Sequence, residues 1–187
     1  MKHYYIFPNA CCEFDDKTDF HNIGTSAMRA DNIGLFFDGW PLDDFFTCHP
    51  ELFCSERLKF LLERDRRSFT GISFATIKRI TTGSNWDNNF PSANPGNYWQ
   101  VKVTGKAFEH DFGLWSEKRY LIASGRSLEF LLQNHVSEIL GNEVVGDASN
   151  FFEEYEQGLK ESRYTLLPPK IFDMQAHLKQ LGLSGPF

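Results

Sequence analysis

The residues best suited to move a proton in this chain stand together at Glu109, His110 and Asp111, shortly after Gly105. A histidine beside carboxylates is the material of general acid-base hydrolysis, yet neighbours on an extended chain point to opposite faces, so adjacency alone builds no dyad. A small hydrolase using His110 and Asp111 is therefore the lesser reading. Cys48-His49 with Cys54 offers thiolate and imidazole, the ligands zinc prefers. A structural zinc site, however, typically pairs ligands about two to four residues apart, and the adjacent Cys11 and Cys12 do not easily turn toward one tetrahedral ion. These thiols are expected to be reduced and mostly buried, with no metal and no other cofactor. Gly105-Lys106 lacks the surrounding pattern of a phosphate-binding loop, so no nucleotide site is read.

Binding without chemistry asks for other residues, and the first fifty supply them. They carry eight acids against three bases, in a chain whose net charge is -6. That excess argues against a phosphate-backbone partner, which needs clustered Lys and Arg, and it suits a basic protein. Asp15, Asp16, Asp19, Asp38, Asp43 and Asp44 could steer such a partner, with Trp40, Trp86 and Phe90 as apolar anchors. Nineteen phenylalanines are more than a core of this size obviously needs, which leaves a homodimer interface open. No apolar run nears the roughly 18 residues of a membrane span, and the opening residues lack a signal-peptide core, which predicts a cytoplasmic protein without a membrane partner.

The elements that must position these residues follow from periodicity. Tyr4-Tyr5-Ile6-Phe7 reads as a strand halted at Pro8-Asn9, and Leu35-Phe36-Phe37 as another running into Asp38-Gly39. Ser55 caps a helix through Arg64 whose Leu58, Leu61 and Leu62 share one face. Residues 71–77 and 98–103 alternate as strands, with Trp99, Val101 and Val103 on one side. Between them, residues 82–97 are rich in Gly, Asn and Pro and read as a long loop bearing Trp86 and Phe90. Residues 108–115 read as a strand edge or turn, and Tyr120–Ala123 as a strand. Ser124 or Ser127 then caps a helix through about Leu140, with Glu143-Val144-Val145 a short strand. A third helix is expected from Ser149 or Asn150 to about Ser162, and a last one over Phe172–Leu181.

Two segments echo each other: Ser55-Glu56-Arg57-Leu58 with Phe60-Leu61-Leu62, and Ser124-Gly125-Arg126-Ser127-Leu128 with Phe130-Leu131-Leu132. They match once a single residue is inserted. The echo records either two related helix-strand units or convergence on a capped amphipathic helix.

Ser55-Glu56-Arg57-Leu58 opening a helix, Thr70-Gly71-Ile72-Ser73-Phe74 after it, the Tyr98-Trp99 strand and Leu121-Ile122-Ala123-Ser124 together resemble bacterial immunity proteins of polymorphic-toxin systems. The resemblance implies a small cytosolic protein that binds a cognate toxin and blocks it without catalysis. The whole reads as one α+β domain, largely antiparallel sheet with two or three packed helices: an acidic front over 1–50, two helix-strand units over 51–148 and a helical tail over 149–187. The alternative is a structural or regulatory subunit of a larger complex.

Overall fold

The computed structural model describes residues 2–10, 12–25, 27–39, 43–65, 68–115, 120–136, 140–144, 149–153 and 157. Two units separate after residue 143, as Met1–Glu143 and Val144–Phe187. In the second, residues 149–153 are helical, and the Phe151 and Phe152 rings meet edge to face at 5.1 Å. The rest of the expected tail lies outside the described residues.

In chain order the first unit runs β1 (His3–Phe7), β2 (Asn9–Ala10), β3 (Glu13–Phe14), β4 (Asp19–His21), β5 (Arg29–Asp31), β6 (Gly34–Phe37), β7 (Phe45–Cys48), β8 (Glu51–Ser55), α1 (Glu56–Arg64), β9 (Ile72–Thr76), β10 (Arg79–Thr82), α2 (Ser84–Asn89), β11 (Tyr98–Val103), β12 (Phe112–Trp115), β13 (Tyr120–Ser124), α3 (Gly125–Gln133) and β14 (Leu140–Glu143). The architecture is α+β. Its strands form four sheets among the described residues, ordered β2-β7-β8-β11-β9, β12-β13-β1-β14, β10-β6-β3 and β4-β5. The pairings are antiparallel apart from β2 with β7 and β10 with β6.

The two larger sheets repeat one plan. A hairpin (β7-β8, then β12-β13) leads through a serine cap into a helix (α1, α3) and then a strand (β9, β14). In each sheet a strand from elsewhere in the chain fills the gap between hairpin and final strand: β11 in the first, β1 in the second. The registers agree residue for residue. Phe45 faces Cys54 as Phe112 faces Ala123, Tyr98 faces Ser55 as His3 faces Ser124, and Trp99 faces Thr76 as Tyr4 faces Glu143. The first amide of each helix is bound alike, Glu56 N–H to the Asn97 carbonyl at 2.9 Å and Gly125 N–H to that of Lys2 at 2.8 Å.

From Cys54 to Leu62 and from Ala123 to Leu131, through the cap and the helix, this alignment has no gap, which corrects the echo. Leu62 corresponds to Leu131, both buried, whereas Leu132, paired with Leu62 by sequence, is 54% exposed. Equivalent residues of the two repeats then meet in one core: Ile6 with Val101, Phe45 with Phe112, Cys54 with Ala123 and Leu62 with Leu131. Burying side chains of this kind contributes about 1.5–3 kcal/mol each for the larger ones, so the junction of the repeats is a substantial source of the unit's stability.

The repeats differ in what they carry. Between β11 and β12 lie only residues 104–111, but between β1 and β7 the chain inserts residues 8–44, which hold β2 to β6. A second addition, β10 and α2, packs on the first: β10 pairs with β6, and Lys78 N–H and Gly83 N–H donate to the carbonyls of Ile33 and Phe37, each at 2.8 Å.

Two expectations about elements need correction. Residues 82–97 are not one loop, because Ser84–Asn89 form α2. Its first turn is held from outside, where Asn85 N–H donates to Asp38 Oδ1 at 2.9 Å, and Trp86 seals its buried face. The second large helix stops at Gln133 and does not reach Leu140. His135 takes the left-handed conformation (φ 53°), and the amides of His135 and Val136 donate back to the carbonyls of Leu132 and Leu131 at 3.1 and 3.0 Å. That is a Schellman stop, with buried Val136 packed in the same cluster as Leu131.

Candidate functional site

The serine caps organise the most polar interior of the unit. Ser55 ends β8 in extended conformation, and its Oγ accepts from Leu58 N–H at 3.1 Å while donating to Asp44. Arg57, two residues on, binds the same carboxylate through Nε and a terminal nitrogen. The second repeat reproduces this set. Ser124 Oγ accepts from Ser127 N–H at 3.3 Å and donates to Asp111 Oδ1 at 2.9 Å, and Arg126 clamps both oxygens of Asp111. Thr70 adds its amide and hydroxyl to Asp111 Oδ2, each at 2.9 Å.

Burial pushes the Asp111 carboxyl up. Arg126, the Thr70 amide and hydroxyl and the Ser124 hydroxyl together outweigh it and hold the group below the usual carboxylate range. Asp111 thus stays a charged strut. His110 turns elsewhere, its Nδ1 accepting from Lys106 N–H at 3.1 Å. The pair His110 and Asp111 therefore forms no dyad: Asp111 is spent on Arg126.

The acids of the front part company in the same way. Asp15 is buried; Arg79 donates to its two oxygens at 2.7 and 3.1 Å and Thr18 Oγ1 to Oδ1 at 2.8 Å. The Arg79 hydrogen bonds outweigh burial and bring the Asp15 carboxyl down to about 2. Asp38 takes the amide and the side-chain nitrogen of Asn85, both at 2.9 Å. Asp43 is buried, and Asp44 belongs to the first clamp. Contrary to expectation, these four do not stand as a display of free carboxylates. Asp16 and Asp19 are exposed, as is Glu13, a third carboxylate of the same stretch.

The aromatic anchors need the same correction. Trp86 is 2% and Phe90 7% exposed; their rings lie 5.1 Å apart, and Phe37 stands 6.3 Å from Trp86. Both close the core of the added layer instead of offering a surface. Trp40 lies outside the described residues. The exposed large apolar side chains among the described residues are others: Ile23, 70% exposed between Asn22 and Gly24 in the β4-β5 turn, Phe7, 51% exposed at the end of β1, and Phe60 and Leu132 on α1 and α3. The left-handed pair Asn22 and Gly24 was the available signal, since those residue types favour tight turns and lift the side chain between them.

The insert is tied to the scaffold through Glu51. It is buried on β8 and accepts from Ala30 N–H of β5 at 3.0 Å and from Gln100 Nε2 of β11 at 2.9 Å. Beside this joint runs a groove of about 410 Å³ whose walls include Phe7, Met28, His49, Leu52, Tyr120 and Leu121. Leu52 and Leu121 are equivalent in the two repeats, so the groove lies where the repeats meet. None of the described residues that line it is Asp, Glu, Lys or Arg.

Cys48 and Cys54 are free thiols; Cys48 donates to the Cys12 carbonyl at 3.2 Å, and burial pushes the Cys54 thiol far up. Among the described residues no group of three His, Cys, Asp or Glu is placed to hold a metal ion, and no helix is long and apolar enough to cross a membrane. No family model matches the chain, and no curated protein does.

Proposed function

We propose that this chain is a binding protein that neutralises a cognate toxin by direct contact. The observation that carries the reading is the asymmetry of the two repeats. A duplicated scaffold spends its own polar groups on holding itself together, and one repeat alone bears an insert with its own exposed surface. Residues 8–44 hold eight acids against Lys17 and Arg29, a net charge of -6 that equals that of the whole chain. Glu13, Asp16, Asp19 and Ile23 are exposed on it. Exposed carboxylates on the same insert as an exposed apolar residue suit a basic partner whose approach is steered and whose contact is then sealed. The insert also contributes Thr25 and Met28 to the groove, whose described walls are largely apolar and can take an apolar side chain of that partner.

The test has two parts. The tagged chain is used to capture partners from its own cells at low and raised salt. A captured protein is then expressed alone in a sensitive host. Growth arrest that is relieved by co-expressing this chain supports neutralisation, and capture weakened by salt supports the acidic insert as the contact. A stoichiometric partner with no effect on growth would move the reading to the subunit alternative.

A further inference from the structure

We infer that the open edge of β10 is a strand-acceptor site for an extended, acid-bearing segment of a partner protein. A groove of about 780 Å³ is lined by every residue from 76 to 82, by every residue from 93 to 99 and by Glu56. A sheet face would present alternate residues of β10, whereas an edge presents all of them, so the groove runs along the edge that β6 leaves open. Which backbone groups face it follows from the pairing. On β6, Gly34 gives its carbonyl to Asp15 N–H and its amide to Thr18 Oγ1, both at 2.9 Å, so Leu35 and Phe37 are the residues whose main chain faces β10. Gly83 N–H reaches the Phe37 carbonyl at 2.8 Å, and by alternation Arg79 and Thr81 turn their main-chain groups to β6. Ile80 and Thr82 turn theirs the other way, where no strand pairs among the described residues.

Ile80, Thr81 and Thr82 carry neither charge nor proline, the usual means of blocking an edge. Unpaired donors and acceptors at strand spacing are the complement of another main chain, which makes the ligand an extended peptide. Its charge follows from the side chains around the groove. Arg79 is spent on Asp15, and Glu56 accepts from Asn97 Nδ2 at 3.2 Å. Lys78 is exposed, and its side chain has no partner among the described residues. A carboxylate on the segment answers that cation. The site uses none of the exposed acids of the insert, and the inference does not rest on the toxin reading.

The probe is the capped peptide Thr-Val-Asp-Val-Thr-Val, titrated to millimolar concentration into the isotope-labelled full chain and followed by NMR. Two twins carry N-methyl groups on alternate backbone amides, one on each edge of the extended peptide, and a third has Lys in place of Asp. The indole N–H of Trp99, which lines the groove and lacks an acceptor among the described residues, is followed with the backbone amides. The expected result is binding with shifts confined to residues 76–82 and 93–99. One methylated twin should bind about ten-fold or more weaker than the other, because it alone loses the ladder. The Lys peptide should bind several-fold weaker than the parent. Ile80→Pro removes a groove-facing donor and spares the β6 ladder, a place where an edge strand tolerates proline. That variant should keep its melting transition and lose the probe. Absence of binding, equal affinity of the two twins, or full binding by a folded Ile80→Pro chain would each overturn the inference. Equal binding of the Lys peptide would overturn its acidic character. The same shifts appearing on concentrating the chain without probe would assign the edge to a second copy and overturn the partner.

Discussion

Arg57, in the first turn of α1, donates at 3.2 and 3.1 Å to the carbonyl of Asn134, the residue that closes the C-terminus of α3. Arg126, in the first turn of α3, feels the charge of Asp65, which closes α1, in addition to that of its own Asp111. Each arginine thus grips the aspartate of its own repeat while facing the end of the other repeat's helix. A cation near a helix C-terminus is favourable because the last carbonyls lack intrahelical partners. The two clamps differ in burial. Asp111 keeps 5% of its side chain exposed against 18% for Asp44, and Arg126 37% against 50% for Arg57.

That difference sets the first prediction. Arg126→Ala strands the buried Asp111 charge and is expected to cost about 2 kcal/mol, the usual penalty for a broken buried pair being reduced by the partial exposure of the arginine. Arg57→Ala is expected to cost under about 1 kcal/mol. Urea unfolding of the two variants at neutral pH measures both. Equal losses would mean that the two clamps are not graded by burial.

Much of this scaffold is legible in the chain itself. Ser55 with its amphipathic run announces α1, and the alternation through Val101 announces β11, because both signals lie within a few residues of the element they make. The elements that stay hidden depend on distant groups. α2 forms from a segment of weak helix formers because Asp38 binds its first turn from 47 residues away. α3 ends early because His135 accepts a left-handed turn more often occupied by glycine. The front acids mislead for the same reason: nothing near Asp15 shows that Arg79, from β10, takes it inside.

A carboxyl whose folded pKa lies below its unfolded one adds stability above the unfolded value, near 4, and loses it as pH falls through the folded value. Asp15, brought to about 2, should therefore give its contribution up between about pH 4 and about pH 2, and Asp111, also held below the usual carboxylate range, gives up its own as the solution turns acidic. The melting temperature is expected to be flat above that window and to fall within it. Asp15→Asn should lower the plateau and make the fall shallower. A variant curve parallel to that of the parent protein would remove Asp15 as the titrating group.

Gly71 and Gly24 share the left-handed conformation, at φ 86° and 80°, but not their surroundings. A Cβ on Gly71 would stand 2.0 Å from the Phe112 carbonyl oxygen, where β12 begins, while nothing lies within 4 Å of one on Gly24. Gly24→Ala is expected to cost about 1 kcal/mol, from backbone strain alone. Gly71→Ala should cost several times as much, since the β12 strand must move. Thermal melts of the two alanine variants separate strain from collision, and matching values would show that β12 yields freely.

Phe45 and Phe112 hold equivalent places one residue after each clamp aspartate, 5% and 2% exposed. Truncating either to alanine is expected to cost about 3–5 kcal/mol, because the cavity opens in a core both repeats share. The double variant should lose less than the sum, as neighbouring cavities merge. Strict additivity in a double-mutant cycle would argue for two separate cores.

The partner face can be separated from the fold by choosing among the acids. Charge reversal at Asp38, Asp43 and Asp44 disturbs groups that are buried or bonded within the chain, so lost binding there would report unfolding. Asp16→Lys with Asp19→Lys changes only exposed carboxylates and is expected to leave the melting temperature within a few degrees of the parent. If the insert steers a basic toxin, the same pair should slow association at low salt by about ten-fold or more and leave dissociation nearly unchanged, because exposed charges act mainly on encounter. Stopped-flow association at two salt concentrations measures this directly. A rate insensitive to both substitutions and salt would place the contact on another surface, and an effect confined to dissociation would make these carboxylates part of the sealed interface.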